Sequence, residues 1–156
     1  MARLEIPIAH QILSSTGDVK LWADIGLLLK DQAGNFVPET FRVDTGTQIT
    51  TFPAHLAKGL NLPIPQAASP GAIQTPTGLE IRSGILRFRI DGMGPDEYQI
   101  ACLFLGDPDT PPDPGQPATF PRKLFQPFQL LDRLRFTADK DPMTGSLYGD
   151  LLIETK

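Results

Sequence analysis

Cysteine and long apolar runs are both scarce in this sequence, and each shortage limits what the protein can be. Cys102 is the only cysteine among 156 residues, so no disulfide can form within the chain, which is typical of a reducing compartment. No segment approaches the ~20 consecutive apolar residues of a membrane span. The first residues, MARLEIPIAHQ, lack the apolar core of a signal peptide. The sequence therefore predicts a cytoplasmic protein that does not enter a membrane.

Histidine and clustered basic residues are scarce as well. His10, His55 and Cys102 form no metal-binding spacing such as HExxH or CxxC, so we expect no metal and no other cofactor. The 14 Lys and Arg residues are scattered and are outnumbered by 18 Asp and Glu residues, giving a net charge of −4. Because phosphate binding needs clustered positive charge, this balance disfavours nucleic acid as a partner. No GxxxxGK[ST] or GxGxxG segment indicates a nucleotide site.

Proline, by contrast, is abundant, and its placement bears on domain organisation. Hydrophobic residues make up 40% and charged residues 21% of the chain, as in ordinary globular proteins, and the length fits a single domain over residues 1–156. Sixteen prolines are present, which argues against long helices. Seven of them fall late in the chain: Pro108, Pro111, Pro112, Pro114, Pro117, Pro121 and Pro127. Residues 106–121 are therefore predicted to form a proline-rich loop.

Alternation of apolar and polar residues, the period of half-buried strands, runs through most of the chain. It predicts strands at residues 4–8, 20–30, 36–37, 40–43, 71–74, 79–82, 85–90, 98–105, 135–139 and 146–154. Pro53 at a first helical position and Gly59 at a helix end predict one short helix, and a second is expected after Pro127. The fold class is therefore mostly β, with one or two short helices.

The segment FRVDTGTQITT, residues 41–51, contains the residues best suited to chemistry. An apolar strand leads there into Asp44, and a carboxylate that activates water needs such a rigid turn. Gly46 lets backbone approach closely, while Thr45 and Thr47 have hydroxyls that can hydrogen-bond the loop or the carboxylate. Asp, Thr and Gly are also ordinary turn residues, so the motif alone leaves both a catalytic loop and a simple turn open.

In its context this motif resembles the retropepsin-like aspartic proteases, the single-lobe relatives of pepsin. The shared order is a meander, a strand ending in Asp-Thr-Gly-Thr, a short helix, a glycine-containing hairpin, long strands and an apolar segment before residues 130–136. The resemblance implies a closed, barrel-like acid protease lobe, with Asp44 as catalytic residue assisted by Thr45 and Gly46. The substrate-binding residues that it implies are Thr47 and, in a flap hairpin, Thr75, Pro76, Thr77 and Gly78.

The chain contains a single Asp-Thr-Gly motif, whereas this kind of peptide hydrolysis uses two carboxylates that share one proton. The second carboxylate must then come from another copy of the chain. The resemblance thus implies a symmetric homodimer in which the two Asp44 residues meet at the two-fold axis, and a peptide or protein substrate that lies between the protomers.

One segment departs from the family pattern. The family carries two apolar residues and a glycine near its C-terminus, and aligning backwards from residues 131–134 places Pro127 where that glycine is expected. Proline lacks an N–H and fixes φ, so packing behind the Asp44 loop is expected to differ. Two other hypotheses stay open: a catalytically inactive binding or dimerisation module with the same fold, and an unrelated β-barrel with a chance motif.

Overall fold

The alternating pattern organises most of the chain into strands. The computed structural model describes residues 2–66, 80–111, 115, 122–139 and 149–156. Within them the strands are β1 (Arg3–Pro7), β2 (Ala9–Ile12), β3 (Val19–Trp22), β4 (Asp24–Lys30), β5 (Phe36–Val43), β6 (Thr50–Pro53), β7 (Ile81–Ile90), β8 (Glu97–Leu105), β9 (Leu124–Phe125), β10 (Leu134–Asp139) and β11 (Asp150–Thr155). An α-helix, α1 (Ala54–Gly59), and a 3-10 helix (Pro127–Leu130) accompany them. The predicted mostly-β class is confirmed.

Six strands close into a barrel in the hydrogen-bonded order β4-β5-β9-β6-β8-β7, with β7 pairing back to β4. The pairs β5-β9 and β6-β8 are parallel, whereas the other four are antiparallel. Outside the barrel, β1, β11 and β10 form a three-stranded sheet, and β2 pairs with β3. Because the two-residue strand β9 lies between β5 and β6, it borders both ends of the loop that starts at Asp44.

Several local predictions are confirmed. The helix predicted from Pro53 and Gly59 forms as α1, and the second predicted helix forms as the short 3-10 helix after Gln126. The strand predicted at residues 98–105 is β8 with one residue added at its start. In the described part of the chain, neither helix has the length and apolar composition needed to cross a membrane.

Other boundaries were predicted wrongly where pairing partners change. Residues 20–30 form two strands separated at Ala23, because β3 pairs with β2 whereas β4 pairs with β5 and β7. Residues 36–43 and 81–90 are single strands, because β4 pairs with nearly all of the first and β8 with nearly all of the second. Strands β2, β6 and β9 were not predicted. The strand predicted at residues 71–74, the flap turn and most of the proline-rich loop lie outside the described residues.

Phenylalanine fills the centre of the barrel. Five of the eight Phe residues that the structure describes are fully buried: Phe41, Phe52, Phe88, Phe104 and Phe125. The Phe41 and Phe52 rings stack with centroids 5.5 Å apart, and Phe88 meets Phe125 edge to face at 6.1 Å. Burial of the Phe125 ring fixes β9 against the barrel, and hence fixes the residues that follow it.

Candidate functional site

Asp44 lies immediately after β5, where the barrel begins the turn that leads to β6. Its backbone N–H donates to the Phe125 carbonyl at 2.9 Å, so pairing with β9 continues one residue past the strand. The preceding N–H, that of Val43, donates to the Ala23 carbonyl at 2.9 Å. The backbone that carries the candidate catalytic carboxylate is therefore held on both sides.

The carboxylate itself is oriented by the loop. The Gly46 N–H donates to Asp44 Oδ1 at 2.8 Å, and this is the single hydrogen bond to the Asp44 side chain within the described residues. A Cβ at position 46 would lie 3.2 Å from the same oxygen, so glycine permits this close approach. Asp44 is half-buried, while Thr45 and Gly46 are exposed. One carboxylate oxygen is thus fixed, and the surface beside it is open to a ligand.

Gln126 holds the loop from behind, and the sequence analysis did not identify it. Its side chain is buried, with 5% of the residue exposed. Its Nε2 donates to the Thr47 carbonyl and, at 3.3 Å, to the Thr45 carbonyl. Its Oε1 accepts from the Phe128 N–H at 3.0 Å. One amide side chain therefore joins the Asp44 loop to the 3-10 helix.

Gln129 extends this network to the start of β6. Its Oε1 accepts from the Thr50 hydroxyl at 2.6 Å and from the Thr50 N–H at 2.9 Å. The Thr50 hydroxyl in turn accepts from the Gln126 N–H at 3.0 Å. The signal that was available in the sequence was the pair of glutamines on either side of Pro127 in an otherwise apolar segment.

Pro127 does not disturb this packing. It is buried at the first position of the 3-10 helix, where a missing N–H breaks no helical hydrogen bond. The two apolar residues that pair with the barrel are those of β9, so the residue directly after them is Gln126. The Gln126 side chain therefore packs behind the loop.

The structure brings part of the predicted site together. Asp44, Thr45 and Gly46 share one turn, as the motif requires, whereas the Thr47 hydroxyl donates to the Ile49 carbonyl at 3.0 Å within its own loop. The predicted flap residues Thr75, Pro76, Thr77 and Gly78 lie outside the described residues.

A basic cavity lies beside β5, and Arg42, two residues before Asp44, is part of its lining. Its volume is ≈ 510 Å³, and its charged or titratable lining residues are Asp24, Arg42, His55, Arg122 and Lys123. The Arg42 guanidinium stacks 4.9 Å from the centre of the Trp22 ring. Burial lowers the pKa of His55, so this imidazole is mostly neutral at pH 7. The positive charge of the cavity therefore comes from its two arginines and its lysine.

Other chemistry has less support. Cys102 is buried in β8, as predicted, and burial raises the pKa of its thiol, which disfavours the nucleophilic thiolate. The residues that the structure describes include no group of three or more His, Cys, Asp or Glu side chains arranged to hold a metal ion. No protein-family model, no curated protein and no solved structure shows a significant match to this chain.

Proposed function

We propose that the protein is an aspartic endopeptidase that acts as a homodimer, with one Asp44 from each protomer activating water. The observation that carries this proposal is the turn geometry, in which the Gly46 N–H orients Asp44 Oδ1 at the end of β5, beside the exposed residues Thr45 and Gly46. The closed barrel and the short helix after the motif support an acid protease lobe. Rigid attachment of the loop through Gln126 supports a catalytic rather than a purely connecting turn.

The chemistry follows from two carboxylates sharing one proton. Two carboxyl groups ~3 Å apart do not both ionise, because their negative charges would repel each other. The two Asp44 side chains therefore share one proton at mildly acidic pH, where activity is expected to be greatest. The ionised Asp44 takes a proton from water as the water oxygen bonds to the scissile carbonyl carbon. The protonated Asp44 donates its proton to the carbonyl oxygen. The C–N bond then breaks as the leaving nitrogen takes a proton from one carboxyl group and a hydroxyl of the tetrahedral intermediate returns a proton to the other, which leaves the pair with one proton again.

Cleavage of a peptide library by purified protein tests the proposal. Asp44→Asn is expected to abolish cleavage because the amide cannot accept the proton of water. Asp31→Asn is the matched control, since Asp31 is also a turn aspartate, one that accepts from the Ala33 and Asn35 N–H groups. Its activity is expected to equal that of the unsubstituted chain. Equal cleavage by Asp44→Asn and the unsubstituted protein would remove Asp44 from the mechanism.

Subunit mixing tests the dimer separately. When an equal amount of Asp44→Asn protein is exchanged into a fixed amount of active protein, random pairing leaves about half of the active protomers with an active partner. Activity should therefore fall to about half if each site needs both Asp44 residues. Unchanged activity would refute the shared site.

A non-catalytic dimerisation module is the alternative function. The observation that favours it is Gln126 and Pro127 in place of the glycine-containing turn that the family resemblance implies. A stable dimer that cleaves no peptide, with or without Asp44, would support this alternative.

A further inference from the structure

Backbone alternation along β5 and the residue after it places Arg42, which lines the basic cavity, and Asp44 on the same side of the chain. Phe41 is fully buried and Val43 packs against the core. Successive side chains of an extended strand point to opposite faces, so the residue between these two and the residue after Val43 point away from the core. Arg42 and Asp44 are these outward residues. Two residues of extended backbone span ~6.6–6.8 Å, which is the expected separation of the Arg42 and Asp44 Cα atoms.

Three cations line the cavity, and we call Arg42, Arg122 and Lys123 the basic cleft. Lys123 Nζ lies 2.9 Å from a Glu39 oxygen, and Arg42 Nε lies 3.7 Å from an Asp24 oxygen. Arg122 is exposed and makes no ion pair with any residue that the structure describes. Asp24 also lines the cavity, so the three cations face two carboxylates, Asp24 and Glu39, and positive charge exceeds negative charge by one here, although the whole chain carries −4.

The arginines are suited to a carboxylate ligand. A guanidinium presents a planar fork of donors that matches a carboxylate, and it loses little hydration on binding. Stacking on Trp22 limits the conformations of Arg42 before any ligand arrives. An extended peptide places alternate side chains on one face at nearly the spacing that separates Arg42 from Asp44.

We propose that the basic cleft is a subsite for an acidic side chain, Glu or Asp, of a peptide bound beside Asp44. The inference rests on the proposed endopeptidase function, because it assigns the substrate class of that same site. The subsite selects peptides with a carboxylate within about two residues of the scissile bond.

The test uses Asp44→Asn protein and two fluorescein-labelled decapeptides that are identical except for Glu or Gln two residues from the centre. Binding is measured by fluorescence anisotropy at low salt. The Glu peptide is expected to bind on the order of fivefold more tightly, as for a partly exposed ion pair, and the difference should shrink in 0.5 M NaCl. Equal affinities of the two peptides would overturn the proposal.

Variants locate the effect. Adding Arg122→Gln to the Asp44→Asn protein is expected to remove most of the preference for the Glu peptide. Lys123→Gln, a second variant in the same cleft, is expected to reduce that preference as well. Arg135→Gln is the matched control, because Arg135 is an exposed residue of β10 and the change in net charge is the same. If Arg122→Gln and Arg135→Gln lose the same amount of preference for the Glu peptide, the effect comes from overall charge and the subsite is refuted.

The two proposals fail differently. A preference for Glu in binding, combined with no cleavage by the Asp44-containing protein, would refute the endopeptidase and retain a carboxylate-binding cleft. Cleavage that depends on Asp44 but treats the Glu and Gln peptides alike would retain the endopeptidase and refute the cleft.

Discussion

Replacing Gln126 by alanine is expected to destabilise the protein by releasing the Asp44 loop. The substitution removes two hydrogen bonds donated to the Thr45 and Thr47 carbonyls and one accepted from the Phe128 N–H. At ~1 kcal/mol each, with part of the loss recovered where water reaches the exposed Thr45, the free energy of unfolding should fall by about 2–3 kcal/mol. That change is large because the side chain is buried and its partners lie on two separate segments.

Urea denaturation followed by the fluorescence of Trp22, the only tryptophan, measures this change. Hydrogen exchange of the Gly46 amide reports the loop directly, since that N–H donates to Asp44 Oδ1 and should exchange faster once the loop is released. Gln99→Ala is the control, because Gln99 is exposed and accepts one bond, from Arg87 Nε at 3.1 Å. Gln99→Ala should lower the free energy of unfolding by less than about 0.5 kcal/mol.

The reasoning is refuted if the two alanine variants have the same stability. It is also refuted if Gln126→Ala leaves the exchange rate of the Gly46 amide unchanged, because the loop would then keep its geometry without the glutamine.

Two further predictions concern packing. A Cβ at Gly84 would lie 2.7 Å from Phe104 Cε2, so Gly84→Ala should lower the free energy of unfolding by about 1–3 kcal/mol in urea denaturation. Gly59→Ala, where a Cβ meets nothing within 4 Å at the end of α1, should not lower it, and equal losses would contradict the steric argument. Cys102 should not react with Ellman's reagent in the folded protein, because burial raises its thiol pKa and excludes the reagent, but should react fully in urea. Rapid labelling of the folded protein would contradict this.

Local features of the sequence were sufficient for much of the fold. Alternation predicted β1, β8 and β10 nearly as they form and located β4 and β7 with wrong boundaries, because a two-residue period survives in any half-buried strand. Pro53 and Gly59 delimited α1, because both act through their own backbone geometry. The Asp44 turn was likewise recognisable, since Gly46 and Asp44 are two positions apart and hydrogen-bond each other.

Only the tertiary structure decided what surrounds that turn. Strand β9 has two residues, too few to show a period, and it forms because β5 and β6 are there to pair with it. Gln126 donates to the Thr45 carbonyl, which lies 81 positions earlier in the chain. The pairing of β5 with β9 likewise brings Arg42 to the segment that contains Arg122. The sequence by itself determined a mostly-β chain with one carboxylate turn. Which side chains hold and flank that turn depended on long-range pairing, because local propensities carry no information about partners distant in the chain.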